Sequence, residues 1–473
     1  MMPYSLHTVL QADVRQVGNT ILMNRIESRT PLGISASLGR LIASGELPTG
    51  ARLPTVRGLA AELGVSPATV SQAWKALAAA GLIESHGRNG TFVRETVVPV
   101  RSTFSQPHTA TSDLPGLDLS RGTPDSKLLP GLGRALSRVS ERAETSAYME
   151  LPVIPELLEL LTDSWPYPVD TITIVNGALD AISRCIEQIA SFGDRVVVEN
   201  PGFPPFFDLL KRLGLEALPV DVDAHGIEPE SFAHALAKKP TLVILQPRGH
   251  NPTGASMTKE RAEVLASMIG DDSAHSKVVV VEDDHSGDVT SAPDVSLGTW
   301  IPDRVLHVRS YSKSHGPDLR IAALGGSTHH INAIVDRRML GPGWTSRMLQ
   351  RILYDLLTSS ESIAEVSDAR RVYFSRQKAF TDALNALGMS VRQADGINAW
   401  IPVANEHGAI LQLAAGGIRV AGGTAFFALE TTQPHIRVTA GAISGDVESV
   451  AAALVAAAHV ESQGSPALTT RWA

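Results

Sequence analysis

Apolar residues follow two different periods along this chain, and the change between them divides it. From residue 20 to 95 the spacing is helical. Ile34, Leu38, Leu41 and Ile42 fall on one face of a helix predicted over 32–44 and stopped by Gly45. A short second helix is predicted from Val56 to Leu63, with Thr55 placed to cap it and Gly64 and Val65 forming a tight turn. Ser66 then caps a third helix that opens at Pro67, where a missing N–H costs nothing. It runs to about Ala80 with Val70, Trp74 and Leu77 inward. Strand-like stretches at 82–85 and 91–94 flank His86-Gly87-Arg88-Asn89-Gly90, a hairpin pattern. Helix, turn, helix and hairpin together describe a winged helix-turn-helix.

Residues 96–117 are rich in Ser, Thr and Pro and show no period, which is linker composition. From 118 to 460, strand-like runs alternate with helical stretches. The runs 196–198, 242–245, 278–281 and 305–308 are apolar rather than alternating and mostly β-branched, as in strands buried on both faces. The expected class is α/β with a mostly parallel sheet. The expected large part spans about 155–345 and a smaller α+β part about 346–460. Ligands in such sheets bind at the carboxyl ends of the strands.

Length adds that 473 residues exceed one compact core. No apolar run approaches the roughly 18–20 residues that span a membrane. The opening residues lack a basic stretch followed by an apolar one, so no secretory signal is expected. Cys185 is the sole cysteine, which excludes an intrachain disulfide and fits an expected cytoplasmic location. The net charge of −8 hides an asymmetry. Residues 20–95 carry eight basic and five acidic side chains, so this head is +3 and the remainder −11. A basic head on an acidic body fits a nucleic-acid-binding module joined to something else.

Candidate chemistry gathers after the strand-like runs. Asn176-Gly177-Ala178-Leu179-Asp180 follows a strand and opens a helix, where backbone amides bind phosphate and a small residue admits close approach. Phe203, in Pro-Gly-Phe-Pro-Pro, offers a ring either to the core or to a flat heterocycle. Asn251, in His-Asn-Pro-Thr-Gly, sits in a turn fixed by Pro252 and Gly254 and can donate to a ring oxygen. Asp283, in Glu-Asp-Asp-His, ends a strand where a carboxylate can keep a pyridine nitrogen protonated. A metal site competes for this cluster, but consecutive strand residues point to opposite faces and converge poorly on one ion, so no metal is expected. Ser310-Tyr311-Ser312-Lys313 supplies a lysine for a Schiff base with an aldehyde, and Arg320, seven residues on, can clamp a phosphate.

Two resemblances follow from these strings. Ser44–Pro54, Leu59–Ser66, Leu77–Ile83 and Gly90–Val93 resemble the GntR family of bacterial regulators across the whole head. That resemblance implies that the third helix enters the major groove and the wing touches the minor groove or backbone. It places Arg57, Ser66, Thr69, His86 and Gly87 at the DNA. Pro67 and Ser71 stand where some relatives carry base-reading arginines, so Arg88 is expected to contribute. A head that only dimerises is the alternative.

The body, roughly 118–460, resembles fold-type I PLP aminotransferases. By that resemblance Lys313 is the Schiff-base lysine, Asp283 pairs with the pyridine nitrogen, Asn251 with the ring oxygen, and Phe203 stacks on the ring. Gly177, Ala178, Ser310 and Arg320 hold the phosphate, with Tyr148 reaching from a partner subunit. Arg437, in His-Ile-Arg-Val-Thr-Ala-Gly, takes an amino-acid carboxylate. His285 falls where such proteins usually carry a tyrosine at the ring oxygen, and predicts pH dependence in the imidazole range. The stretch 146–160 matches more loosely.

Head and body together resemble the MocR subfamily. The resemblance implies a PLP-dependent, DNA-binding transcriptional regulator acting as a homodimer on double-stranded operator DNA. It senses PLP itself or an amino acid or amine. A working aminotransferase, converting amino acid to keto acid under an incidental head, is the alternative. A third reading is a body that has lost PLP and only dimerises.

Overall fold

The computed structural model describes residues 25–26, 28–44, 46–79, 81–86, 90–94, 116–142, 151–270, 275–429 and 433–460. It divides into two compact units, 1–107 and 108–473.

In the first unit, helix α1 spans Pro31–Ala43, β1 Arg52–Leu53, α2 Val56–Leu63, α3 Pro67–Ala79, β2 Ile83–Ser85 and β3 Thr91–Val93. Local chemistry sets these limits. The Thr30 hydroxyl accepts from Gly33 N at 3.1 Å, so α1 starts a residue before the expected 32. Thr55 does the same for Gly58 N at 3.1 Å, and Gly64 closes α2 in the left-handed region at φ 66°. Ser66 accepts from Thr69 N at 3.1 Å. Ile34, Leu38, Leu41, Ile42, Leu59, Val70, Trp74 and Leu77 meet Ile83 and Val93 in one core. The hairpin forms as β2 against β3, antiparallel. A third strand was not legible. β1 lies in the Leu-Pro-Thr-Gly-Ala-Arg-Leu-Pro stretch, which reads as a turn, yet pairs antiparallel with β3 and makes it the central strand.

In the second unit, the strap strand β4 (Leu117–Asp118) precedes the main sheet. That sheet is built from β5 (Thr171–Val175), β6 (Arg195–Asn200), β7 (Glu216–Asp223), β8 (Gly226–Ile227), β9 (Leu242–Leu245), β10 (Val279–Asp284), β11 (Val305–Ser310) and β12 (Ala322–Gly326). Their order is β5-β12-β11-β10-β9-β6-β7-β8. The pairs β11/β10, β10/β9, β9/β6 and β6/β7 are parallel. β12 runs against both its neighbours, and β8 against β7.

Alternate strand residues enter two different cores. Val196, Val198, Leu242, Ile244, Val279 and Val281 pack on one face, with helix α4 (Ala178–Ile189). Val197, Val243, Leu245 and Val280 pack on the other. The parallel topology brings the ends of β5, β6, β9, β10 and β11 to one edge of the sheet.

A smaller lobe follows. The long helix α5 (Ser360–Ala386) leads to β13 (Ala399–Pro402), β14 (Ile418–Arg419), β15 (Ala421–Gly422) and β16 (His435–Val438). β16 pairs antiparallel with both β13 and β15. Phe380, Leu384, Ile401, Ile436, Val438 and Leu454 form its core, and Leu119 of the strap completes it. The boundary expected at 345/346 is therefore displaced. Helix Arg347–Thr358 buries Ile352, Leu353 and Leu356 in the large core, and the strap belongs to the small one. Hydrophobic period marks a helix but not which core its apolar face joins.

Leu59, fully buried in the head, tests the integrity of this first unit. Leu59→Ala is expected to destabilise the head by about 2–5 kcal/mol. Amide exchange should then quicken across α1 and α3 while the protection of β9 and β10 is unchanged.

Candidate functional site

The site grows from the end of β10. Along this strand Asp283 shares a face with Val279 and Val281, the face of α4, whereas Glu282 and Asp284 point to the other. The three acids accordingly go to different partners. Glu282 accepts from Ser296 Oγ at 2.6 Å and Leu297 N at 2.7 Å, and pairs with His307 at 2.7 Å. Asp284 takes a bidentate pair from Arg248 at 2.8 and 2.6 Å. Asp284, Asp294 and His307 come close enough to share an ion, yet Arg248 bridges the two acids and Glu282 holds the histidine.

Asp283 is buried, with Oδ2 accepting from Gln246 Nε2 at 2.8 Å and Oδ1 without a partner. Burial first, then the nearby Asp284 and Glu199 carboxylates, outweigh the Gln246 hydrogen bond and push its carboxyl up to about 7. A half-satisfied carboxyl of this kind suits a cationic partner. Gln246 was missed by the sequence reading, although it directly follows β9. Its Oε1 accepts from Asn251 N at 2.8 Å and its own N donates to Glu199 at 2.8 Å. One amide thus fixes both Asp283 and the turn that carries Asn251.

Lys313 lies in the loop after β11, half-buried, with Nζ donating to the Gly122 carbonyl. Burial and the Arg437 charge lower its amine to about 8, against the opposing pull of Asp283. Arg437, on β16, is buried and donates to the Ser120 carbonyl and, at 3.4 Å, to Asn251 Oδ1. Its guanidinium lies 5.1 Å from the centre of the Phe426 ring. Among the described residues no carboxylate pairs with it, and burial lowers it to about 10. Gly122 fits between these groups only as glycine: its φ is +61°, and a Cβ would lie 3.1 Å from the guanidinium. The signal for it, Leu-Ser-Arg-Gly-Thr-Pro-Asp at 119–125, lies in the stretch read as the bare start of the body.

Gly177 precedes α4 at φ 101°, and no side chain caps the helix. A Cβ on Gly177 would stand 2.8 Å from Arg320, whose guanidinium donates to Asn176 O at 3.2 Å. Ala178 therefore opens a helix N-terminus beside an exposed arginine, an arrangement suited to a dianion. Ser310 is buried on the same strand face as Val308, and its Oγ accepts from Ser312 N at 3.3 Å. Phe203 follows β6 in a loop whose Gly202 donates to Phe426 O at 2.8 Å, and it meets Phe206 edge-on at 5.3 Å. Tyr148 lies outside the described residues.

His285 requires a correction. Burial and the Lys313 charge lower its imidazole to about 3, so it stays neutral across the physiological range and does not supply the expected pH dependence. Its ring also meets the neighbouring serine. Ser286 Oγ donates to Gly249 O at 3.1 Å and lies 3.0 Å from His285 Nε2. Asp283 and Lys313, by contrast, are shifted toward neutrality, to about 7 and about 8.

On the head, Arg57 and Ser66 are exposed and Thr69 half-buried, with the two hydroxyls 2.9 Å apart. His86 is exposed and pairs with Glu84 at 3.0 Å. Gly87 and Arg88 lie outside the described residues.

Fold and site together define a fold-type I body of the class I aminotransferases on a winged-helix head. The model for aminotransferase class I and II matches residues 115–454, and that for bacterial regulatory proteins of the gntR family matches 32–93. The chain belongs to the MocR-type GntR regulators, in which these two are fused. It is 36% identical, over 85% of its length and 92% of the relative, to the vitamin B6 salvage pathway transcriptional repressor PtsJ of Salmonella typhimurium. It is 23% identical, over 76% of its length and 79% of the relative, to the HTH-type pyridoxine biosynthesis transcriptional regulator PdxR of Corynebacterium glutamicum. In fold it is similar to LysN, an alpha-aminoadipate aminotransferase of Thermus thermophilus. The TM-score is 0.65 at 19% identity, covering 72% of this chain and 92% of that one. The cofactor of this fold is pyridoxal 5'-phosphate, and the residues present fit it: an unpaired buried carboxylate oxygen, an uncapped helix entered through a glycine, and a lowered lysine amine. No described helix is long and apolar enough to cross a membrane.

The electrostatics of Lys313 give a pH prediction. Its positive charge is disfavoured, so the free amine should appear as pH rises through about 8 rather than through the ordinary 10.5. The rate of Lys313 carbamylation by cyanate should follow that midpoint. Arg437→Met should move the midpoint up and Asp283→Asn should move it down.

Proposed function

We propose that this protein is a PLP-dependent transcriptional regulator whose head binds operator DNA and whose body reads an amino acid or amine, or PLP itself. The observation that carries the reading is the fusion: one chain matches a GntR head over 32–93 and an aminotransferase body over 115–454. The names of its relatives, for vitamin B6 salvage and pyridoxine biosynthesis, support a signal drawn from the same chemistry.

In this reading Lys313 would hold the cofactor's aldehyde, and Asp283, fixed by Gln246, would face its ring nitrogen. Gly177, Ala178, Ser310 and Arg320 would hold its phosphate, joined by Tyr148 of the partner subunit. Phe203 would cover the ring, with Asn251 and His285 at the ring oxygen. When bound, PLP supplies an electrophilic aldehyde that exchanges amines and a ring that withdraws electrons from them. Asp283, raised to about 7 by burial, would return to its charged form opposite a protonated ring nitrogen. Arg437, without a carboxylate partner among the described residues, would take the ligand's carboxylate as a forked donor.

The head would contact DNA through Arg57, Ser66, Thr69, His86, Gly87 and Arg88. The protein would act as a homodimer in the cytoplasm, on a linker covering 96–117.

A second reading, an active aminotransferase, is favoured by the coexistence of Lys313, Asp283 and Arg437 in one linked cluster. Steady turnover with a keto-acid acceptor distinguishes it from a regulator.

The test pairs the two halves. PLP-loaded protein should show a visible absorption band that Lys313→Ala removes, and Lys313→Ala should also change operator footprints recorded with and without PLP. Arg57→Ala and Thr69→Ala should weaken DNA binding on the order of tenfold and leave the band intact. Wild-type affinity should fall with salt as phosphate contacts release counterions. Footprints indifferent to PLP, or a band retained in Lys313→Ala, would refute the reading.

A further inference from the structure

The segment 117–125 is anchored to the small lobe along its length. β4 pairs in parallel with β14, and Leu119 N donates to Arg419 O at 2.8 Å. Thr439 N donates to Leu119 O at 2.8 Å, and Gly122 N donates to Thr439 Oγ1 at 2.8 Å. Asp125 pairs with Arg376 at 2.9 Å, and its N donates to the Tyr373 hydroxyl at 2.9 Å. Arg437 of the same lobe donates to the Ser120 carbonyl. A hydrogen bond crosses to the large lobe, where the Gly122 carbonyl accepts from Lys313 Nζ.

Two backbone carbonyls, two residues apart, therefore engage the guanidinium and the amine that the proposed function assigns to ligand carboxylate and cofactor. A carbonyl oxygen is a neutral acceptor. A carboxylate offers the guanidinium two charged oxygens and roughly doubles the strength of each hydrogen bond. For a buried cation with no acid partner the exchange is favourable, and the two acceptors compete for one donor face.

We propose that residues 117–125 form a strap that a carboxylated ligand displaces, the ligand's carboxylate replacing the Ser120 carbonyl on Arg437 and so loosening the whole segment from the site. The proposal rests on the ligand reading given above and adds how occupancy leaves the site. In sequence the strap directly follows the stretch expected to link it to the head. Ligands without a carboxylate leave the strap in place.

Amide exchange of the strap in the full-length, PLP-loaded protein tests this, with L-alanine as probe, ethylamine as the same skeleton without the carboxylate, and the visible spectrum recorded in parallel. L-Alanine should speed exchange at Leu119 and Gly122 about tenfold, as for a local opening, and ethylamine should not. Asp125→Asn, which weakens the Arg376 anchor, should raise strap exchange without any ligand. Gly122→Ala, whose Cβ would press on the Arg437 guanidinium, should do the same and blunt the further response to L-alanine. If L-alanine alters the spectrum but strap exchange is unchanged, the strap proposal fails and the ligand reading stands. Equal strap responses to L-alanine and ethylamine also overturn it. If neither compound alters the spectrum, the ligand reading itself fails and the strap proposal falls with it.

Discussion

Burying the Asp283 carboxyl with only one oxygen hydrogen-bonded is the constraint around which the body is arranged. In the apolar end of a strand ladder the charged form is disfavoured, and two further acids nearby make it more so. Gln246 satisfies one oxygen, and the other is satisfied only by a proton or by a cation brought to it. A folded protein carries such a group where a partner offsets the cost of desolvation. The parallel sheet supplies the place, because its topology delivers the ends of β5, β10 and β11 to one edge. The uncapped start of α4, Asp283 and Lys313 thus arrive together without any of them lying close in sequence. Lys313 shows the same physics with the opposite sign: burial and a neighbouring cation lower its amine, and Asp283 limits how far the lowering goes.

Much of this was legible in the sequence because local rules write it there. Ser66, Thr55 and the glycines after the helices set the elements of the head within a residue or two, since capping depends on neighbours only. The valine-rich runs located the central strands, since burial on both faces leaves no alternation to hide. Cooperation over long distance was not legible. β1 reads as a turn because two residues carry no period, and only the position of β3 makes them a strand. Nothing local distinguishes Gln246 from any glutamine after a strand. Its role comes from Asp283 and Asn251, 37 and 5 residues away. The strap was passed over because its function is carried by backbone carbonyls, which no residue type announces. The titration expected of His285 failed for a related reason: residue identity gives an ordinary pKa, and burial beside Lys313 overrides it.

The two units also differ in what their surfaces must do. Near the site the body buries charges in pairs, Glu282 with His307 and Arg248 with Asp284, so that Arg437 stands out among the described residues by lacking an acid. The described charged side chains of the head, Arg57 among them, lie in or partly in solvent, where salt screens them and a polyanion competes with ions for contact.

The third strand of the head has a consequence for solubility. A two-stranded wing would offer β3 as an open edge, a row of unpaired amides and carbonyls on which other chains assemble. Pairing with β1 makes β3 central and moves the exposed edges to β1 and β2, strands of two and three residues that carry exposed Arg52 and Glu84. Short, charged edges are poor templates for strand addition, which protects a DNA-binding head from aggregating edge to edge when it is concentrated on its target.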